Sequence, residues 1–538
     1  MMSSISGRVR RSDTETPELK GSDRLLIKVV PPVLILALIG VVLLNPTGVA
    51  DVISTMRTFV TGEFTWFFVV YSLVAVGVCV WLAFDRRVGD IRLGGEGARS
   101  EFGNFAWYSM LFACGQGIGL IFWSVAEPIM LREEAPTVTI LGSEKSEAGL
   151  VWSYFHWGLT AWAMYCVVAV CLAYSHHNLG KPLTFRDATV DILPAATRRP
   201  AGVVIELLAI IATVLGLATS FGFASMQFTS GLSAVTGISS SATVWLLVIV
   251  GLGAFAALSS FGGLDRGMKR VSEANSILSI VLVIGVFISG PTVYLLSNLL
   301  ESTGSFIFNF VPMSFFSEGA PSQASLDSWK DSWSGWWTVF IWCWVIAFSP
   351  FVSGFIARIS RGRTIREFVI GVTVVPSVIV MVWIGVIGSA AIYYDNVGSG
   401  GVSAAVAADT SSGLFEVLRG LPLVGTLLMI VATLLVATYY VTSLDAGTYA
   451  LAEFVSAPKQ SGPGFRVVLV ANIAAVTIVL LTIGGSAVVD TVQTGTIIGS
   501  FPFAFVILLM IANLVRRLRA LSHGGEQVSD ESVTQGQV

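Results

Sequence analysis

Gly115-Gln116-Gly117-Ile118-Gly119-Leu120-Ile121 places three alternating glycines in the middle of an apolar run, 102–130. A bilayer's hydrocarbon core takes about 20 apolar residues to cross as a helix, so the run is long enough to span. Each glycine weakens a helix by roughly 1 kcal/mol, and three within five residues predict a break at about membrane depth. Broken backbone is tolerated there only where protein or a polar cavity surrounds it, and such breaks point to transporter binding sites. Close helix packing is the other reading, because small residues also gather where membrane helices touch.

Working outward, the same character holds for the whole chain. Of its 538 residues 54% are hydrophobic and only 12% are charged, against about 25% charged in soluble proteins. The chain is therefore read as an all-α integral membrane protein. Twelve apolar stretches are legible, at 26–45, 64–84, 102–130, 149–174, 202–235, 242–261, 274–299, 332–357, 367–394, 412–441, 466–484 and 494–515. The fifth is too long for one straight span and is expected to run into its outer loop through Gly231. With the N-terminus inside, only Arg57, Arg132, Lys145, Lys330 and Arg419 fall outside, which leaves 26 of the 31 lysines and arginines on the cytoplasmic side. That bias sets the orientation, with both termini cytoplasmic. The first 24 residues are polar and no cleavable signal peptide is expected.

The remaining composition excludes several classes. A net charge of −3 and the lack of a recognition motif give no reason to expect a nucleic-acid partner. Cys79, Cys114, Cys166, Cys171 and Cys343 have neither disulfide-framework nor zinc spacing and read as small buried residues. No phosphate-binding loop or nucleophile motif marks an enzyme or an ATP-driven pump; a channel or membrane enzyme is the non-transporter alternative. The stretch 307–316, between Glu301 and Glu318, is read as an amphipathic helix on the outer interface or as a structured loop.

Aromatic residues converge on the glycine break. Trp157, Trp162 and Tyr165 fall roughly 12, 20 and 24 Å along the fourth span at 1.5 Å per residue, on an arc that lets them line one cavity. Trp342, Trp344, Phe348 and Phe351 lie deep in the eighth span, whereas Trp333, Trp336 and Trp337 at its mouth are expected to form an interfacial belt. An aromatic box suits a quaternary ammonium, which offers no hydrogen-bond donors and is held by ring quadrupoles. Exposed N–H groups at a helix break suit a carboxylate. Packing alone is the alternative for each ring. Thr442 and Ser443 offer hard oxygens for a cation, or simply hydrogen-bond their own helix. Glu127 and Asp445 are placed near span ends, where a charge costs less. His156 is read as a hydrogen-bonded structural histidine, with a proton relay as the alternative.

Three motifs together resemble the betaine–choline–carnitine transporter family over nearly all twelve stretches. They are Gly115-Gln-Gly-Ile-Gly119 with Glu127-Pro128, His156-Trp157 with Trp162 and Tyr165, and Trp342-Cys-Trp344 through Ser349-Pro350-Phe351 to Arg358-Ile-Ser-Arg361-Gly-Arg363-Thr-Ile-Arg366-Glu367. The resemblance implies a LeuT-type inverted repeat of spans three to seven and eight to twelve, preceded by two extra helices. The corresponding segments are a tail at 1–25, two peripheral helices in 26–101, repeats at 102–299 and 332–515, an outer interfacial segment at 300–331 and a tail at 516–538. It implies a homotrimer in the bacterial cytoplasmic membrane, in contact with membrane lipids.

It also implies sodium-coupled uptake of a small zwitterionic or cationic compatible solute; a proton-coupled symporter or an exchanger of the same fold is the alternative. Trp157, Trp162, Tyr165, Trp344 and Phe348 match the family's substrate box, and Gly115, Gln116, Gly117 and Gly119 its substrate-contacting stretch. Thr442 and Ser443, with backbone carbonyls of Ala113, Gln116 and Tyr439, match one Na+ site. Thr213 and Phe351 match part of a second. Val345 stands where the family usually has a second tryptophan, which admits ectoine or carnitine beside betaine. Leu217 stands where a hydroxyl is expected near Thr213, which favours coupling to one ion. The tail after Arg519 is short, acidic to neutral and expected to be disordered.

Overall fold

The computed structural model describes residues 21–534 except 116, 137–144, 260–263, 319–332, 399, 456–462 and 485–487. These residues are helical apart from loops and one isolated antiparallel bridge, Arg92 to Thr364. The chain runs α1 (Gly21–Leu44), α2 (Pro46–Glu63), α3 (Thr65–Phe84), α4 (Arg86–Gly89), α5 (Asn104–Gly115), α6 (Gly117–Glu134), α7 (Lys145–Trp157) and α8 (Leu159–Ala173). It continues with α9 (Phe185–Thr189), α10 (Arg198–Thr236), α11 (Ala242–Ser259), α12 (Leu264–Ser289), α13 (Thr292–Ser314) and α14 (Phe340–Ile359). The last six are α15 (Ile365–Val397), α16 (Gly401–Ala408), α17 (Gly413–Arg419), α18 (Gly425–Val455), α19 (Pro463–Gly484) and α20 (Val488–Thr534).

Among the described residues nine helices are long and apolar enough to cross a membrane, or ten when the bent pair α5 and α6 counts as one. Burial separates them. The apolar windows of Glu147–Asn178 and Gly335–Ile359 are 94% buried, whereas that of Arg270–Ser289 is 28% buried. The first two form the centre of the bundle, and the third shows its apolar side chains to the surroundings, with Ile288 69% exposed. A soluble protein would cover such side chains; a lipid solvent makes their exposure favourable.

Several boundaries differ from those read in the sequence. α10 runs unbroken through Gly231 to Thr236 and stops at Gly237, which takes the left-handed conformation that suits a helix end (φ 77°). Gly231 serves packing, since a Cβ there would come 2.3 Å from Thr433 Oγ1. The seventh stretch ends at Ser289 and not at 299, because Pro291 disfavours helix in the residue before it. The segment beyond belongs to α13, whose exposed apolar residues include Ile307 and Phe308. α18 carries straight through Thr442 and Ser443 to Val455, so no break lies beside these hydroxyls. α20 extends to Thr534, through the tail expected to be disordered.

The basic loop after α14 is a clamp. Leu93 N–H donates to Arg363 O (2.9 Å), Gly362 N–H to Leu93 O (2.9 Å) and Ile365 N–H to Ile91 O (2.9 Å). Gly362 is obligatory there, at φ 84° and with a Cβ position 2.2 Å from the Arg99 carbonyl carbon. Arg363 donates to Asn104 Oδ1 (3.1 Å) and Phe102 O (3.2 Å) while its guanidinium sits 3.8 Å above the Trp107 ring. Arg366 donates to Ala83 O (2.9 Å) and Asp90 Oδ1 (2.7 Å). The loop thus ties the start of α5 and the end of α3 to the α14–α15 turn. α15 then starts with a reciprocal capping box between Thr364 and Glu367.

Candidate functional site

The glycine segment is a break. α5 ends at Gly115 and α6 begins at Gly117, with the axes of Asn104–Phe112 and Gly117–Glu134 diverging by 62°. Gln116, expected at both the solute and the ion site, lies outside the described residues. Each of the three glycines faces an aromatic ring. A Cβ on Gly115 would lie 2.7 Å from Trp162 Cη2, and one on Gly117 would lie 2.3 Å from Tyr439 Cδ1. On Gly119 it would lie 2.9 Å from Trp157 Cζ3 and 3.0 Å from Trp344 Cη2. Real Cβ atoms do not approach so closely, so hydrogen is the only side chain these positions accept. The packing reading and the site reading coincide, because what packs against the glycines is the ring cluster itself.

A cavity of about 20 Å³ opens at the break, lined by Cys114, Gly115, Gly117, Ile118, Gly119, Trp157, Tyr165, Ser220, Ile341, Trp344, Val345, Phe348 and Ser443. That volume suits about one water molecule, so admitting a solute requires the walls to part. Trp157 and Trp344 meet edge to face at 5.6 Å, and Trp344 and Phe348 at 6.0 Å. Trp344 is fixed by Phe340 and Phe223 and donates from Nε1 to Ser220 Oγ (3.2 Å). Tyr165 lies 5.8 Å from Trp162. Trp162, expected in the lining, stands behind Gly115 and does not line the cavity; it supports the wall and Tyr165. Val345 reaches the lining with a small side chain. The first N–H groups of α6 have no acceptor within their helix, and Gly117, Ile118 and Gly119, which carry them, line the cavity.

The hydroxyls expected to hold sodium are divided. Ser443 lines the cavity. Thr442 donates to Thr438 O (3.1 Å) and Tyr439 O (2.9 Å) of its own helix, which occupies its proton and leaves its lone pairs. Tyr439 packs on Gly117 and bonds Ser279 Oγ (2.9 Å), bringing α18 against the break. Ala113 lies on α5 two residues before Gly115. Of the second set, Thr213 is buried and donates to Ala209 O (2.7 Å), and Phe351 packs on Phe348 at 4.8 Å. Leu217, standing where a hydroxyl was expected, fills the space at Gly447, 2.5 Å from a Cβ position there.

Two expectations are corrected above the cavity. Glu127 is fully buried, not at a low-cost span end. Trp333 and Trp337 are packed into the protein and not in an interfacial belt: Trp333 lies 4.6 Å from Trp152 and 6.0 Å from His156, and Trp337 5.7 Å from Trp123. Sequence reasoning missed Ser220, Ile341 and Cys114 in the lining. Ser220, a polar residue inside a long apolar stretch, was the available signal.

The family model described as "BCCT, betaine/carnitine/choline family transporter" matches residues 26–523. The chain belongs to this family. A glycine betaine transporter of Acinetobacter baylyi is 34% identical over 94% of this chain and 75% of its own length. The glycine betaine transporter OpuD of Bacillus subtilis is 36% identical over 88% of this chain and 90% of its own. An ectoine/hydroxyectoine transporter of Virgibacillus pantothenticus is 34% identical over 92% and 96%. Membership of the betaine/carnitine/choline family makes the chain a multi-pass membrane transporter and not an enzyme, and the cavity at the glycine break is its candidate solute site.

Proposed function

We propose that this transporter takes up a quaternary-ammonium or related zwitterionic compatible solute, of the betaine, choline, carnitine or ectoine type, coupled to sodium. One observation carries the reading: the glycine break and the aromatic rings of α7, α8 and α14 close on a single cavity. Trp157, Tyr165, Trp344 and Phe348 offer ring faces to a methylated ammonium, each well-desolvated contact contributing about 2 kcal/mol. The N–H groups that open α6 offer partial positive charge to a carboxylate. Ser443 and the lone pairs of Thr442, with carbonyls of Ala113, Gln116 and Tyr439, form the ion set; Thr213 and Phe351 belong to a second set that Leu217 leaves incomplete.

The chain is assigned twelve spans. Two peripheral helices precede LeuT-type repeats at 102–299 and 332–515, with both termini on the cytoplasmic side of a bacterial inner membrane and three copies per assembly. Alternating access then opens and closes the cavity from the two sides.

Uptake of labelled glycine betaine, choline, carnitine and ectoine into proteoliposomes, under sodium or potassium gradients, tests the reading. Concentrative uptake of at least one solute in sodium alone is expected. Uptake that follows a pH gradient and ignores sodium would establish the proton-coupled alternative. Equilibration without accumulation would mark a channel.

A further inference from the structure

Glu127 does not line the cavity, yet its fully buried carboxylate bonds Trp157, which does. Oε1 meets His156 Nδ1 at 2.7 Å, Oε2 accepts from the Trp157 indole Nε1 at 2.5 Å, and His156 Nε2 meets Thr338 Oγ1 at 3.0 Å. The indole can only donate, so Oε2 accepts from it. A carboxylate that also accepts from Nδ1–H of His156 satisfies the contacts, with Nε2 either accepting from the Thr338 hydroxyl or donating to it. The network joins α6, α7 and the wide π-helical turn Gly335–Val339 that precedes α14. Trp152, Trp333 and Trp342 enclose the imidazole at 5.7, 6.0 and 5.9 Å.

A charge buried this deeply costs several kcal/mol even when paired, and apolar packing would hold the helices together at lower cost. Its geometry suggests what it does. Trp157 is the cavity wall, and its N–H points away from the cavity into the carboxylate. A charge-assisted bond of that kind is short and strong, and in a low-dielectric surrounding it polarises the group it joins. Electron density moves from the indole N–H toward the ring, which deepens the negative potential on the face turned to the solute.

We propose that Glu127 is a positioning residue that acts through Trp157, fixing the indole in the wall and raising its attraction for a cationic head. The inference rests on the proposed solute site. It makes recognition specific for positive charge over shape, the property by which a quaternary nitrogen differs from a tert-butyl carbon.

The test is binding of glycine betaine and of its carbon isostere 3,3-dimethylbutanoate to purified protein in sodium. Glu127→Gln removes the charge and keeps an acceptor for the indole, and its amide donates to Nδ1 once the imidazole carries its proton on Nε2 and donates to Thr338. It should weaken glycine betaine binding about three- to tenfold, leave the isostere within twofold and leave the melting temperature near wild type. Trp157→Phe, lacking the N–H, approaches the same bond from the other end; in that background Glu127→Gln should have no further effect on either ligand. Equal losses for both ligands, additive losses in the double variant, or an unchanged glycine betaine affinity in Glu127→Gln would each overturn the proposal. In the last case, normal wild-type binding with weakened Trp157→Leu binding would leave the solute site standing. Failure of wild type to bind glycine betaine would remove both.

Discussion

The ring of Tyr439 lies against the backbone of Gly117, with Cδ1 and Cγ 2.3 and 2.5 Å from the place a Cβ would take. The ring cannot move freely, because its hydroxyl is tied to Ser279 at 2.9 Å. This contact joins the helix break to the hydroxyl-bearing helix α18. Gly117→Ala should therefore overpack the joint, at a cost of about 1–3 kcal/mol, and lower both melting temperature and transport. Adding Tyr439→Ala should recover part of the lost stability, which a double-mutant cycle on melting would register as coupling. Additive losses would show that the methyl acts elsewhere.

Trp162 and Trp157 should behave differently. Trp162 is fully buried behind Gly115 and does not line the cavity. Trp162→Leu leaves a cavity in a packed core and should cost about 2 kcal/mol or more, with apparent KM moved less than about threefold. Thermal melting in detergent alongside uptake kinetics checks the split. A tenfold rise in KM at unchanged stability would place Trp162 in direct contact with solute.

Sodium dependence should follow the lining. Ser443 faces the cavity, whereas the Thr442 proton is committed to its own helix. Ser443→Ala should raise half-maximal sodium more than Thr442→Ala does, and the double variant by at least about tenfold, equivalent to about 1.4 kcal/mol. Because Leu217 fills the space at Gly447, the sodium curve should have a Hill coefficient near one. Uptake at several sodium concentrations measures both. A double variant with wild-type sodium affinity would remove these hydroxyls from the ion site.

The clamp on the basic loop predicts a demanding arginine. Arg363 combines two hydrogen bonds with stacking on Trp107. A lysine reproduces the charge but neither the fork nor the flat face. Arg363→Lys should lose about 2 kcal/mol or more of stability, close to the loss in Arg363→Ala. Rescue by lysine in a melting experiment would reduce the contact to simple charge.

The parts legible in the sequence were those governed by local rules. Alternating glycines in an apolar run announced the break at 115–117, since helix propensity acts residue by residue. Apolar length announced the long helices, of which nine, or ten with the bent pair, are found among the described residues. Arc geometry brought Trp157 and Tyr165 to one cavity but also admitted Trp162, because an arc does not say which rings stand in front and which behind. Depth was the harder quantity. Glu127 reads as near a span end by counting along the run, yet neighbouring helices bury it completely. Trp333 and Trp337 read as a belt for the same reason. Thr442 could not be separated from Ser443, since only the helix register against α5 and α6 decides which hydroxyl meets the cavity.

The central claim is that the rings at the glycine break hold the cationic end of the solute. Equilibrium binding of glycine betaine to purified wild type, Trp157→Leu and Trp344→Leu in sodium tests it without the complication of turnover. Each replacement removes a ring face worth about 2 kcal/mol and should raise Kd at least about tenfold, with folded protein confirmed by melting. Wild-type Kd values in both variants would contradict the claim and return the aromatic cluster to packing.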